Sequence, residues 1–159
     1  MPDPLFINSI SQGHQFTGLP APEHPLVTVI KVRDFQNRSD FKEGKIVLNL
    51  YLMHFKQLGS GKFQYGKNSY DYEDGTLLFI APGQAFEYNS SVYEDTEKSE
   101  GWMLAFHPDL IRKSSLAEKI DSYTFFRYSV NEALHLSEKE RDTIEQIRDK
   151  IVAEYSQNM

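Results

Sequence analysis

From residue 26 onward, apolar residues follow the two-residue period of β-strands. Residues 26–32 form a nearly continuous β-branched run, and residues 46–55 alternate between two faces. One face carries Leu48, Leu50, Leu52 and His54, and the other carries Asn49, Tyr51, Met53 and Phe55. Because both faces are largely apolar, the pattern predicts a strand that is covered on both sides, as in a sandwich or a small barrel.

Turn signals then occur at short intervals and separate several short strand candidates. They include Gly59-Ser60-Gly61, Asp74-Gly75 and Pro82-Gly83, and a further apolar segment lies at 101–106. Short strands with such regular turns are typical of an all-β sandwich or barrel. We therefore predict a mainly β fold for this part of the chain.

The N-terminal segment, residues 1–25, differs from the rest of the chain. Prolines occur at positions 2, 4, 20, 22 and 25, and each removes a backbone donor, so the segment is expected to lack regular backbone hydrogen bonding. His14, Phe16 and Leu19 are its apolar or half-apolar anchors. Two interpretations are open: a disordered tail, or an arm that lies as a strap over a pocket.

The clearest helix is predicted at the C-terminal end. Ser137 followed by Glu140 forms a capping box, and a narrow apolar stripe with coiled-coil spacing comes after it. The stripe consists of Ile144, Ile147, Ile151 and Tyr155. It is our candidate for a homodimer interface, and packing against the chain's own barrel is the alternative. Before it, Leu116 and Ile120 are spaced for a short helix, whereas residues 123–129 fit a strand or an extended link.

Charge and composition restrict the partners of this chain. Its 159 residues carry 17 Lys and Arg against 23 Asp and Glu, a net charge of −6, without a basic run. Such a domain is not expected to bind DNA through its own surface. The absence of cysteine excludes disulfides and thiolate chemistry. It fits a reducing cytoplasm, where we expect the protein to reside, and a secreted protein without cysteine is the alternative. Neither a signal peptide nor a transmembrane run is recognisable, so no membrane partner is expected.

The sequence contains no convincing catalytic arrangement. Its five histidines are not spaced as metal ligands, no Gly-x-Ser-x-Gly motif is present, and paired carboxylates such as Glu73-Asp74 lie beside turns. We therefore expect no catalytic residues, no metal and no cofactor. Aromatic residues are plentiful at 13%, and those in strands either line a ligand cavity or build the core. The ligand-binding candidates are Asn49, Tyr51, Tyr65, Phe79, Phe86, Tyr88 and Trp102.

Residues 72–88, with the sequence YEDGTLLFIAPGQAFEY, resemble the second half of a cupin motif. The shared features are a glycine, an apolar strand, a Pro-Gly turn and a return strand. Many metal-binding cupins place a histidine shortly after this turn, and here Gln84-Ala85-Phe86 come after it instead. The resemblance implies a cupin-like double-stranded β-helix, or jelly-roll barrel, without a metal.

The order of segments is similar to that in the N-terminal domain of AraC-family transcriptional regulators. The similarity covers about residues 26–155 and is most specific in GWMLAFHPDLI and in YTFFRYSVNEALHLSEKERDTIEQIRDKIVAEY. It implies an N-terminal arm at 1–25, a cupin-like barrel at 26–112 and a helical dimerisation segment at 113–159. A C-terminal domain with two helix-turn-helix motifs, which binds DNA in that family, is expected beyond this chain.

The resemblance implies an effector-sensing and dimerisation domain. A small-molecule effector, such as a sugar or another metabolite, would bind in the barrel and change how the arm or the helices pack, and so would control where the DNA-binding domain lies. The expected partners are a second copy, an effector, and DNA only through the absent domain. Two other interpretations are open: a small cupin enzyme, such as an isomerase, epimerase or dioxygenase, and a carbohydrate-binding or structural β module.

Overall fold

The structure is a computed structural model that describes residues 3–37, 39–56, 62–65, 68–71, 76–93, 100–122 and 134–157. Its strands are β1 (Leu5–Ile7), β2 (Val27–Lys31), β3 (Glu43–Leu48), β4 (Tyr51–Lys56), β5 (Lys62–Tyr65), β6 (Asn68–Asp71), β7 (Thr76–Ile80), β8 (Gln84–Asn89), β9 (Trp102–Phe106) and β10 (Leu134–His135). Its helices are α1 (Ile10–Thr17), α2 (Ser115–Lys119) and α3 (Glu138–Gln157). Short 3-10 turns lie at Val32–Asp34, Ser90–Tyr93, Pro108–Leu110 and Ile120–Ser122.

The strands form two sheets and a separate hairpin. The small sheet has the order β1-β3-β8, in which β1 runs parallel and β8 antiparallel to β3. The large sheet has the order β10-β7-β4-β9-β2, and each of its neighbouring strands pairs antiparallel. Strands β5 and β6 pair with each other. The chain is thus mixed in α and β content, with two sheets of mostly antiparallel strands and a C-terminal helix.

The interpretation of residues 46–55 as one strand is wrong, because the chain changes sheets within it. Strand β3 ends at Leu48 in the small sheet, and β4 begins at Tyr51 in the large sheet. The backbone N–H of Asn49 donates to the carbonyl of Ile7 at 2.9 Å, which holds the crossing beside β1. A second crossing, from β7 to β8, lies next to it, since Gly83 N–H donates to the Leu48 carbonyl at 2.8 Å.

The alternation within β4 and β9 gives the large sheet two buried faces, as the sequence pattern predicted for β4. Towards the small sheet, the inner cluster contains Ile7, Ile10, Phe16, Ile46, Leu48, Leu50, Leu52, Leu78, Ile80, Tyr88, Met103 and Ala105. Towards the C-terminal helices, the outer cluster contains Val27, Tyr51, Phe55, Leu77, Trp102, Leu104, Phe106 and Ile120. Phe55 and Trp102 stack in the outer cluster with ring centroids 5.7 Å apart.

The expectation that residues 1–25 lack regular backbone hydrogen bonding is wrong for β1 and α1. Both elements lie in the stretch between Pro4 and Pro20, which contains no proline. Helix α1 begins after Ser9, whose hydroxyl accepts the N–H of Gln12 at 3.1 Å, and it ends at Gly18 in the left-handed conformation. Because Ile7, Ile10 and Phe16 are buried, the packing of this segment supplies the free energy that orders it.

The predicted C-terminal helix and its capping box are confirmed. The N–H of Glu140 donates to the hydroxyl of Ser137 at 3.1 Å, and the N–H of Ser137 donates to the Glu140 carboxylate at 3.0 Å. The short helix α2 contains Leu116, and Ile120 lies at its C-cap. Residues 123–129, for which a strand and a link were both open, lie outside the described residues. Within the described part of the chain, no helix is both long enough and apolar enough to cross a membrane.

Candidate functional site

The two sheets and helix α1 line a cavity of about 90 Å³. The N-terminal segment provides one wall, with Ile7, Ile10, Gly13, His14, Phe16 and Thr17. The large sheet provides Thr28, Ile30, Leu52, His54, Met103 and Ala105, and the small sheet provides Ile46, Leu48, Phe86 and Tyr88. Leu50 and Phe35 complete the lining. Helix α1 therefore covers the space between the sheets.

His14 fastens α1 over this cavity through both nitrogens of its buried ring. Its Nδ1 lies 2.8 Å from the carbonyl oxygen of Pro20, and its Nε2 lies 2.8 Å from Oγ1 of Thr28. A carbonyl only accepts, so the hydrogen-bond network assigns the proton to Nδ1. In the neutral ring, Nε2 then accepts from the Thr28 hydroxyl. Burial of this histidine is tolerated because each nitrogen has a partner.

The aromatic end of the cavity is formed by Phe16, Phe86 and Tyr88. The Phe16 and Tyr88 rings meet edge to face, with their centroids 5.1 Å apart. The Tyr88 hydroxyl accepts from the side-chain amide of Asn37 at 2.9 Å. Burial raises the pKa of Tyr88, and the hydrogen bond from Asn37 opposes this shift. Tyr88 therefore stays a neutral, fixed aromatic wall at ordinary pH.

The chemistry of the cavity is mostly apolar. Its polar side chains are His14, Thr17, Thr28, His54 and Tyr88, and the hydroxyl of Thr17 donates to backbone carbonyls of its own helix. A single water needs roughly 10–15 Å³ of such space, so the cavity has room for a molecule of several heavy atoms. Sugar hydroxyls would lose hydrogen bonds to water without equal replacement here. A compact apolar or aromatic molecule fits the walls better.

The structure brings only part of the ligand-binding candidates together. Phe86 and Tyr88 line the cavity. Tyr51, Phe79 and Trp102 lie on the opposite face of the large sheet, in or against the outer cluster.

The remaining candidates lie elsewhere. Asn49 sits at the crossing between the sheets, where its side-chain amide donates to the side chain of Asn8. Tyr65 belongs to β5, and its side chain is outside the described residues.

Sequence reasoning missed the residues that dominate the inner face. His54 and Leu52 line the cavity. The sequence pattern correctly predicts that they share one face of the strand, but neither was among the ligand-binding candidates. The alternation identified the two faces, but it did not say which face points inward. The pairing of His14 with Thr28 was also missed, because these residues lie fourteen positions apart on two different elements.

Three of the four interface candidates on α3 pack against the outer cluster of the same chain. Ile144, Ile151 and Tyr155 are half-buried against the outer cluster, whereas Ile147 is 49% exposed. The Tyr155 hydroxyl accepts the backbone N–H of Val29 in β2 at 3.3 Å. The structure thus shows the intrachain packing that was the alternative for three of these residues. Ile147 is the member of the stripe that stays available to another surface.

Comparison with known proteins does not identify a family for this chain. Neither the models of known protein families nor the curated proteins give a significant match to its sequence. Among the described residues, no group of three or more His, Asp or Glu side chains is arranged to hold a metal ion. The functional interpretation therefore depends on the geometry of the cavity, of α1 and of α3.

Proposed function

We propose that this chain is the effector-sensing and dimerisation domain of an AraC-type DNA-binding transcriptional regulator. The observation that carries the proposal is the apolar cavity between the two sheets, which the N-terminal helix α1 covers. We also propose that the two sheets are the faces of a cupin-like jelly roll, supported by the antiparallel pairing and by the adjacent crossings at Asn49 and Gly83. The long helix α3 then leads towards the proposed DNA-binding domain.

Ligand binding in this cavity is coupled to the docking of α1. Residues of α1, including His14 and Phe16, form one wall, so a ligand contacts them only when the helix is docked. A molecule that binds only the docked state raises the ratio of docked to undocked protein, and the rise grows with ligand concentration and affinity. In this proposal, α1 is the movable element that the sequence had suggested as a strap over a pocket.

The large sheet connects the cavity to α3. Strands β4 and β9 place His54 and Met103 at the cavity, and they place the neighbouring residues Phe55 and Trp102 against the C-terminal helix. A change in side-chain packing on one face therefore changes the surface that α3 contacts on the other face. We propose that this displacement, together with a homodimer contact at Ile147, alters where the DNA-binding domains lie.

A thermal-shift screen with small aromatic compounds, such as phenol, toluene and indole, tests the effector site. At a hundred times the Kd, we expect Tm to rise by roughly 5–10 °C. The substitution Ala105→Val adds carbon atoms to the cavity wall and should remove this response. The matched control is Ala85→Val, which makes the same change at an exposed position of β8.

Two results would contradict the proposed effector site. The first is that none of the compounds raises Tm in the wild-type chain. The second is that the ligand-induced shift in Ala105→Val equals that of the wild type and of Ala85→Val. Because each shift is measured against the same variant without ligand, a lower starting Tm of Ala105→Val does not affect the comparison.

A further inference from the structure

A second concave site lies on the other side of the large sheet, between β2, the first residue of β9 and helix α3. It is a cleft with a volume of about 810 Å³, within the size range of small-molecule sites, which is about 300–1,000 Å³. Val29 and Trp102 belong to its sheet side, and Val152 belongs to its helix side. The cavity beneath α1 opens on the opposite face of this sheet, so the cleft is a separate site.

Trp102, which lines the cleft, carries a buried hydrogen-bond donor that has no acceptor among the described residues. Trp102 is only 2% exposed, and its indole Nε1–H has no hydrogen-bond partner in the described part of the chain. Leaving a buried donor unpaired is unfavourable, and such a group in a native fold calls for an explanation. The Tyr155 hydroxyl, which accepts from Val29 N–H, also lines the cleft and keeps its own hydrogen to donate. Trp102 and Tyr155 therefore each offer one hydrogen-bond donor.

The three carboxylates that line the cleft each form an ion pair with at least one of two arginines. Glu145 pairs with Arg141 at 3.3 Å and with Arg148 at 3.5 Å. Glu100 pairs with Arg141 at 3.3 Å, and Asp149 pairs with Arg148 at 2.9 Å. Because each acidic side chain of the cleft already has a cationic partner, these carboxylates do not form a binding site for a cation.

Two cations of the cleft have no such partner among the residues that the structure describes. Lys31 and Arg33 lie at the end of β2 and in the turn after it, and both line the cleft. Among the described residues, no carboxylate forms an ion pair with either of them. Arg148, by contrast, lies over the Trp102 ring, with Cζ 5.3 Å from the ring centroid. Two cations outside these ion pairs, together with the indole N–H of Trp102, match an anionic ligand.

We propose that this cleft binds a small organic carboxylate. The carboxylate is held by Lys31 and Arg33 through charge-assisted hydrogen bonds, and the apolar body of the ligand lies against Val29 and Val152. One oxygen of the same carboxylate accepts the hydrogen of Trp102 Nε1. Because the ligand contacts both β2 and α3, its binding holds the helix against the sheet. This effect on α3 does not depend on a ligand in the cavity beneath α1.

The chain contains one tryptophan, so its intrinsic fluorescence reports directly on the cleft. Titration with benzoate should give a saturable change in Trp102 emission, whereas benzamide, which has the same shape without the charge, should give little change at equal concentration. In the double variant Lys31→Ala/Arg33→Ala, the Kd for benzoate should rise about tenfold or more, because two charged hydrogen-bond donors are lost.

The control is Lys45→Ala/Lys119→Ala, which removes the same charge at exposed positions outside the cleft. It should bind benzoate as the wild type does, which excludes an effect of net charge. Three outcomes would overturn the proposal: no saturable change with benzoate, equal binding of benzamide, or an unchanged Kd in Lys31→Ala/Arg33→Ala. The benzoate test and the thermal-shift test of Ala105→Val concern opposite faces of the sheet. A negative result with benzoate therefore leaves the proposed effector site in the cavity unaffected.

Discussion

His14 of α1 and Thr28 of β2 lie with Nε2 and Oγ1 2.8 Å apart in the buried interior. The Pro20 carbonyl holds the other nitrogen of the same ring at 2.8 Å. The N-terminal helix is thus attached to the large sheet by a side-chain hydrogen bond as well as by apolar packing. This attachment is what makes α1 a wall of the cavity.

A double-mutant cycle measures the contribution of this hydrogen bond. Thr28→Val keeps the shape of the side chain but leaves His14 Nε2 without a donor, and we expect it to lower the free energy of unfolding by about 1–3 kcal/mol. The loss in His14→Ala/Thr28→Val should be smaller than the sum of the two single losses by about 1 kcal/mol. Urea unfolding gives all four values, and additive losses would show that the two residues act independently.

Gly18 and Gly13 provide a matched pair of substitutions at one helix. Gly18 has a φ of 74°, and a Cβ there would lie 2.2 Å from the carbonyl oxygen of Gln36. A Cβ on Gly13 would meet only Ile7 Cγ2, at 4.0 Å. We expect Gly18→Ala to cost more than about 2 kcal/mol, whereas Gly13→Ala should stabilise by about 0.5–1 kcal/mol. Thermal unfolding measures both changes in stability. Equal changes in the two variants would contradict the left-handed conformation of Gly18 at the end of α1.

The start of α3 should make a pH-dependent contribution through Glu140. The pKa of this carboxyl is lowered, first because the Ser137 N–H donates to it and second through the Ser137 side chain. A group with a lowered folded pKa stabilises the fold above its ordinary pKa of 4.5, and this contribution disappears as the pH falls through the lower folded value.

The variant Glu140→Gln keeps an acceptor for the Ser137 N–H but does not titrate. Its helix content, measured by circular dichroism, should therefore fall less steeply with acid than that of the wild type. Parallel acid profiles of the two proteins would show that the capping box does not carry this pH dependence.

Ile147 separates the two roles proposed for α3. Since it is 49% exposed, Ile147→Glu should leave the Tm nearly unchanged, while it converts a concentration-dependent dimer into a monomer. Ile151→Glu, in contrast, places a charge against the outer cluster and should destabilise the fold by several kcal/mol. Sedimentation velocity and thermal unfolding measure the two effects. A wild-type chain that stays monomeric at high concentration would contradict the dimer.

Local signals in the sequence were sufficient for the elements that depend on local chemistry. The capping box of Ser137 and Glu140 predicted where α3 begins, because a cap satisfies backbone groups within a few residues of itself. The alternation from Leu48 to Phe55 correctly predicted that β4 is covered on two sides, since side chains on a strand point to opposite faces in turn.

Only the tertiary structure decided which face of that strand meets the cavity, because alternation has no inside or outside of its own. It also decided that the chain leaves the small sheet at Asn49, a crossing held by a hydrogen bond to Ile7 far back in the sequence. The tertiary structure also decided that His14 pairs with Thr28. It decided as well that Ile151, in the apolar stripe of α3, packs on the chain's own sheet. Each of these depends on contacts between distant residues, whose energies no local pattern encodes.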